Sequence, residues 1–106
     1  MNIADMMQQA KAMQEKMKNL QDEVAQLRVQ GSSGGGMINI IMKCNKEVET
    51  IKIDPSVINP NDKEMLEDLI VAAINDAAKN AEEKTADESA KVLSGMGFPP
   101  GTDLPF

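Results

Sequence analysis

The chain contains no histidine, no tryptophan and no tyrosine, and its two phenylalanines, Phe98 and Phe106, both fall among the last nine residues. Without histidine the commonest general base and metal ligand is missing. Without large rings the core must be built from Met, Ile, Leu, Val and Ala, and nine methionines make it a deformable one. A single cysteine, Cys44, excludes an internal disulfide and cannot by itself build a zinc site. No apolar run approaches the ~18 residues that a membrane span needs, and the N-terminus has neither the basic flank nor the apolar run of a signal peptide. The expected location is the cytoplasm, with no membrane partner. Arg28 is the only arginine.

What is present begins with a stripe. Ile3, Met6, Ala10, Met13, Met17, Leu20, Val24 and Leu27 recur at alternating steps of three and four, with Gln, Lys, Glu and Asp between them. That spacing predicts an amphipathic helix from about Asn2 to about Val24 with a narrow apolar seam. A helix of this kind is about 36 Å long at ~1.5 Å per residue, too long for a 106-residue chain to bury within itself. The seam therefore calls for a second helix, on this chain or on another, and the other reading of the stripe is a plain core face.

Near Ala25 the period changes to two. Leu27 to Gln30, Met37 to Lys43 and Val48 to Ile53 read as three strands of an antiparallel meander, ended by Asp54-Pro55. Between the first two lies Gly31-Ser32-Ser33-Gly34-Gly35-Gly36, expected to be a mobile connection. Gly31 and Gly36 have the spacing of a phosphate-binding loop, but Met37 stands where lysine is required and a strand follows where a helix should begin, so that reading fails.

Alternation puts Leu27, Val29, Ile38, Ile40, Met42, Cys44, Ile51 and Ile53 on the side that packs against helices. The other side carries Gln26, Arg28, Gln30, Asn39, Ile41, Lys43, Val48, Thr50 and Lys52, with three cations and no carboxylate. Asn59-Pro60-Asn61-Asp62 then signals a helix start, and a second helix is expected from about Asp62 to about Leu93, ended by Gly95. Residues 95–106 are too rich in Pro and Gly to be helical and are expected to be extended. The architecture is thus α+β in a single domain over residues 1–106: a long helix, a three-stranded antiparallel sheet, a second long helix and a tail.

No constellation nominates a reaction. Glu67-Asp68 and Glu82-Glu83 fall on an amphipathic helix, where such pairs face solvent. Ser32 and Ser33 have no histidine to activate them, and Cys44 falls on the apolar side of the sheet as an inert thiol. Asn75-Asp76, beside Ile74 and Ala77, is suited to cross-linking elements. No catalytic residue, cofactor, metal or small-molecule substrate is expected.

Net charge is −6 but unevenly spread. Residues 1–53 carry seven bases and six acids, and residues 54–106 carry four bases and eleven acids. An anionic partner would meet the first half.

Several short pieces follow one another in a specific order: Met13-Gln14-Glu15-Lys16-Met17, Gly31 with Ser33-Gly34-Gly35-Gly36, Ile53-Asp54-Pro55-Ser56, Lys63-Glu64-Met65-Leu66-Glu67-Asp68-Leu69, Asn75-Asp76-Ala77-Ala78, and Ser94-Gly95-Met96 with Pro99-Pro100-Gly101 and Pro105-Phe106. Over nearly its whole length the chain resembles the bacterial YbaB/EbfC family of nucleoid-associated proteins. The resemblance implies a cytoplasmic homodimer on the nucleoid that binds duplex DNA and affects its organisation or expression. On this chain the candidate DNA contacts are Arg28, Lys43 and Lys52 on the sheet, assisted by Lys46, Lys11, Lys16 and Lys18. The candidate dimer contacts are Met6, Met13, Met17 and Leu20 on the seam with Ile41 and Val48 on the sheet. One arginine and no Trp or Tyr leave little for guanine readout or base stacking, which favours backbone contact with little sequence choice. The alternative is a protein-interaction module whose Met-rich seam receives a partner's helix.

Overall fold

The computed structural model describes residues 2–95. Helix α1 (Ile3–Ala25) starts where Asn2 accepts a hydrogen bond from the Asp5 N–H at 2.8 Å, satisfying one of the donors that a helix start leaves unpaired. Strands β1 (Arg28–Ser33), β2 (Ile38–Lys43) and β3 (Val48–Ile53) form one antiparallel sheet in the order β1-β2-β3. Helix α2 (Lys63–Gly95) follows, with the Asp62 side chain accepting from the Met65 N–H at 3.2 Å. The α+β order expected from the sequence is therefore the observed one. Gly95, expected to open the extended tail, is instead the last residue of α2, and residues 96–106 of the expected tail lie outside the described residues.

The core is the contact between the middle strand and α2. Ile38, Ile40 and Met42 project from β2 at every second residue and are almost fully buried. They meet Ala73, Ala77 and Ala81, spaced one helical turn apart and fully buried. Val29, Ile53, Leu66 and Leu69 close the margins. Burying each large β2 side chain contributes about 1.5–3 kcal/mol, and the alanines let the helix come close enough for all three to be covered. Helix α1, by contrast, has no buried residue: Ile3 is 75% exposed, Met6 57% and Met13 53%, while Met17 and Leu20 are half-buried.

Three expectations need correction. The stretch Gly31 to Ser33 is not part of a mobile connection but the second half of β1, paired with Ile40, Asn39 and Ile38. Only Gly34–Gly36 form the turn, all three with positive φ, which side-chain-bearing residues seldom adopt. Gly31 is buried under α2 at the point of closest approach, where a Cβ would lie 2.5 Å from the Ala77 Cβ and 2.6 Å from the Ala73 carbonyl. Its absent side chain is what lets helix and sheet touch.

Ile51 was expected under the helices but is 43% exposed, because α2 lies across β1 and β2 and leaves β3 open. The third correction concerns the β3 alternation. Ile41 pairs with Thr50 but Met42 pairs with Val48, so Glu49 is an extra residue, a β-bulge. Directly opposed residues share a face, which places Val48 on the Met42 side of the sheet rather than beside Ile41. Ile41 and Val48 therefore occupy opposite faces and do not form one patch.

Candidate nucleic-acid interface

The side of the sheet away from α2 is a grid of three rows. Ser32, Asn39 and Lys52 form one row, Gln30, Ile41 and Thr50 the next, and Arg28 with Lys43 the third, which the bulge completes with Glu49. Gln30 Nε2 donates to Asn39 Oδ1 at 3.2 Å, and Asn39 Nδ2 donates to the Gly36 carbonyl at 2.7 Å, fixing the polar middle. Gln30, Asn39, Ile41, Thr50 and Lys52 line a shallow concavity.

The face was expected to hold three cations and no acid, and this is corrected by Glu49. Arg28 donates through Nε to Glu49 Oε2 at 2.5 Å and through Nη2 to Oε1 at 2.8 Å, a two-pronged pair reaching across β2. The hydrogen bonds from Arg28 hold the Glu49 carboxyl below its ordinary range, with the charges of Arg28 and Lys43 adding to the effect, and Arg28 is raised in turn. Three cations thus stand with one carboxylate, and Arg28 is engaged. Lys43 and Lys52 form no ion pair among the described residues. The alternation rule missed Glu49 because a bulge is an added backbone residue with no side-chain signature of its own.

The remaining candidates are scattered. Lys46, in the β2–β3 turn with φ 74°, has its Nζ 2.7 Å from Glu82 Oε1 on α2, so it is directed to the helix rather than the grid. Lys11, Lys16 and Lys18 are exposed on α1. Lys11 and Lys18 share a face two turns apart, and Lys16 projects elsewhere. Most of the acids of the second half ride on α2, behind the sheet. Several are paired there, Glu67 with Lys63 and Glu88 with Lys84 and Lys91.

Other sites offer no chemistry. Cys44 is buried at a cleft walled by Gln21, Val24, Ala25 and Thr85, with no charged group on its lining. Asp76 accepts from the Ser32 N–H at 2.9 Å, the cross-linking role expected of Asn75-Asp76. Among the described residues no cluster of three or more His, Cys, Asp or Glu could hold a metal, and no helix is long and apolar enough to cross a membrane.

Comparison with known proteins agrees with this architecture. A protein from Xylella fastidiosa (strain 9a5c) named nucleoid-associated protein is 47% identical over 105 residues, covering 99% of this chain and 96% of the relative. The crystal structure of an uncharacterized protein from Helicobacter pylori superposes with a TM-score of 0.68 at 24% identity, over 88% of this chain and 98% of the other, which shows a shared fold. The model of the YbaB/EbfC DNA-binding family matches residues 1–96, and the chain belongs to that family.

Proposed function

We propose that the protein is a non-enzymatic, nucleoid-associated homodimer that binds duplex DNA through its phosphate backbone with little sequence choice. The observation that carries this reading is the separation of charge across the sheet. Lys43, Lys52 and Arg28 stand on one face, while the core and acidic α2 occupy the other. An anionic backbone approaching the open face meets two lysines that have no ion-pair partner among the described residues, and is spared the α2 carboxylates. The family supports DNA as the ligand, and the name of the Xylella relative supports the nucleoid as the location. Lack of histidine, exposed carboxylates and a buried thiol support the non-enzymatic part.

Homodimerisation is supported by α1, whose apolar seam is left largely in solvent by a single copy. Met6, Met13, Met17 and Leu20 are the residues a second copy would cover.

The test is charge reversal. Lys43→Glu with Lys52→Glu should abolish a gel shift on duplex DNA while leaving the mass in solution unchanged. Wild-type affinity should fall steeply with salt, as counterion release requires. Affinity unchanged by the double reversal would move the site to Lys11, Lys16 and Lys18, whose reversal is the matching arm.

The exposed Ile3, Met6, Met7 and Met13 favour one rival, a helix-binding module for a different protein. Mass in solution discriminates, since a seam closed by a second copy has no room for a foreign helix.

A further inference from the structure

The apolar seam of α1 is rich in methionine. Met6, Met13 and Met17 hold seam positions and Met7 stands beside them, all within about three turns. Met6, Met7 and Met13 are more than half exposed, and Met17 is half-buried. Leucine has better-defined rotamers and closes a helix–helix seam more tightly, so packing alone does not select methionine here. What methionine adds is a thioether.

Other oxidisable side chains are missing or out of reach. The chain has no Trp, Tyr or His, and its one thiol, Cys44, is buried. Met42 is sealed in the core. Of the remaining described methionines, Met37 precedes β2 and Met65 lies in the first turn of α2, both outside the seam and less exposed than those at the start of α1. An oxidant reaching a single copy therefore meets its densest set of targets on α1.

We propose that Met6, Met13 and Met17 are sites of reversible oxidation by peroxides, and that their sulfoxides keep the seam from being covered by a second copy. In each step the thioether sulfur takes one oxygen of the peroxide: an S–O bond forms as the O–O bond breaks, sulfur gives up two electrons, and the peroxide is reduced to water or an alcohol. A polar, chiral group then stands where an apolar one stood. On a free seam water satisfies its oxygen. Under a second helix it finds no donor among Ile3, Ala10, Leu20 and Val24, and a polar group buried unpaired opposes the contact.

The oxidation is independent of the homodimer reading, but its consequence rests on that reading. A covered seam shields its own sulfurs, so oxidation proceeds on separated copies and holds them apart. Methionine sulfoxide reductases remove the oxygen as water while two thiols close to a disulfide, which restores the apolar stripe.

Sedimentation of the full chain before and after hydrogen peroxide, with mass mapping of each methionine, tests this. Oxygen uptake at Met6, Met13 and Met17 should weaken association by about tenfold or more and take the mass from that of two chains to that of one. Methionine sulfoxide reductases with dithiothreitol should bring it back. Met6→Leu with Met13→Leu and Met17→Leu should sediment as two chains before and after peroxide, although Met37 and Met65 still take up oxygen. Should that variant fail to fold, rates in the wild type decide: uptake at Met6 and Met13 should slow as protein concentration rises, and uptake at Met37 should not. A wild-type dimer that persists with all three sulfurs oxidised, a chain with the three substitutions that still dissociates in peroxide, or uptake at Met6 and Met13 indifferent to concentration overturns the inference and leaves the homodimer standing. A wild-type chain that sediments as one copy before any oxidant overturns both.

Discussion

Arg28 grips Glu49 with both prongs of its guanidinium, at 2.5 and 2.8 Å, across the full width of the strand between them. The carboxylate occupies the place that a phosphate oxygen pair would take. On the proposed DNA-binding face, Glu49→Gln should tighten duplex binding a few-fold and steepen its salt dependence by about one unit, because Arg28 is released for a phosphate. Fluorescence anisotropy over a salt series measures both. Arg28→Ala should change affinity less than Lys43→Ala or Lys52→Ala, and should cost more in the Glu49→Gln background than in the wild type.

Gly31→Ala should destabilise the fold by about 1–3 kcal/mol, the usual cost of forcing an atom into a packed interior. Its Cβ would lie 2.5 Å from that of Ala77 and 2.6 Å from the Ala73 carbonyl, where α2 cannot retreat without uncovering Ile38 and Ile40. Urea denaturation reads the change. Gly35→Ala meets no neighbour, so any loss there comes from its φ of 66° alone.

Removing Asp76 and Asn80 together should loosen α2 from the β1 edge. The bond from the Ser32 N–H to Asp76 and the bond from Asn80 Nδ2 to the Gln30 carbonyl, at 2.7 Å, are each worth about 1 kcal/mol. Asp76→Ala with Asn80→Ala is expected to lower the thermal midpoint and to speed amide exchange at Ser32, whose N–H is the donor to Asp76. Light scattering should rise with concentration as an uncovered edge appears.

Acid should weaken the fold in a defined direction. Glu49 is lowered by its hydrogen bonds from Arg28, Glu82 by Lys46, and Asp54 by Ser56, first through its backbone N–H. Because folding lowers these values, the three carboxylates add stability above the ordinary carboxylate range, and that contribution fades as pH falls through their folded values. All three are at the surface, so the effect is small. The thermal midpoint should decline below about pH 4.5, and Glu49→Gln should make the decline shallower.

Periodicity carried most of the architecture. The three-four seam marked α1, the alternation in Ile38, Ile40 and Met42 marked the buried side of β2, and Asn59 to Asp62 marked the start of α2. What it could not carry was set by contacts between elements. Gly31 read as a linker because composition does not register that a helix crosses there. Ile51 read as core because alternation tells which side a residue faces and not whether anything covers that side. Glu49 read as inward because a bulge resets the count without changing residue type. The scatter of the α1 and turn lysines has the same origin, since Lys46 is directed by Glu82, 36 positions along the chain.

The bulge in β3 makes chain length a determinant of surface charge. Deleting Glu49 would restore an unbroken register, with Val48 still opposite Met42, and strip the open face of its one acid in a single step. Inserting a residue nearby would send a different neighbour outward. In relatives of this protein, a one-residue gain or loss between β2 and β3 is therefore an electrostatic change and not a neutral adjustment of a loop.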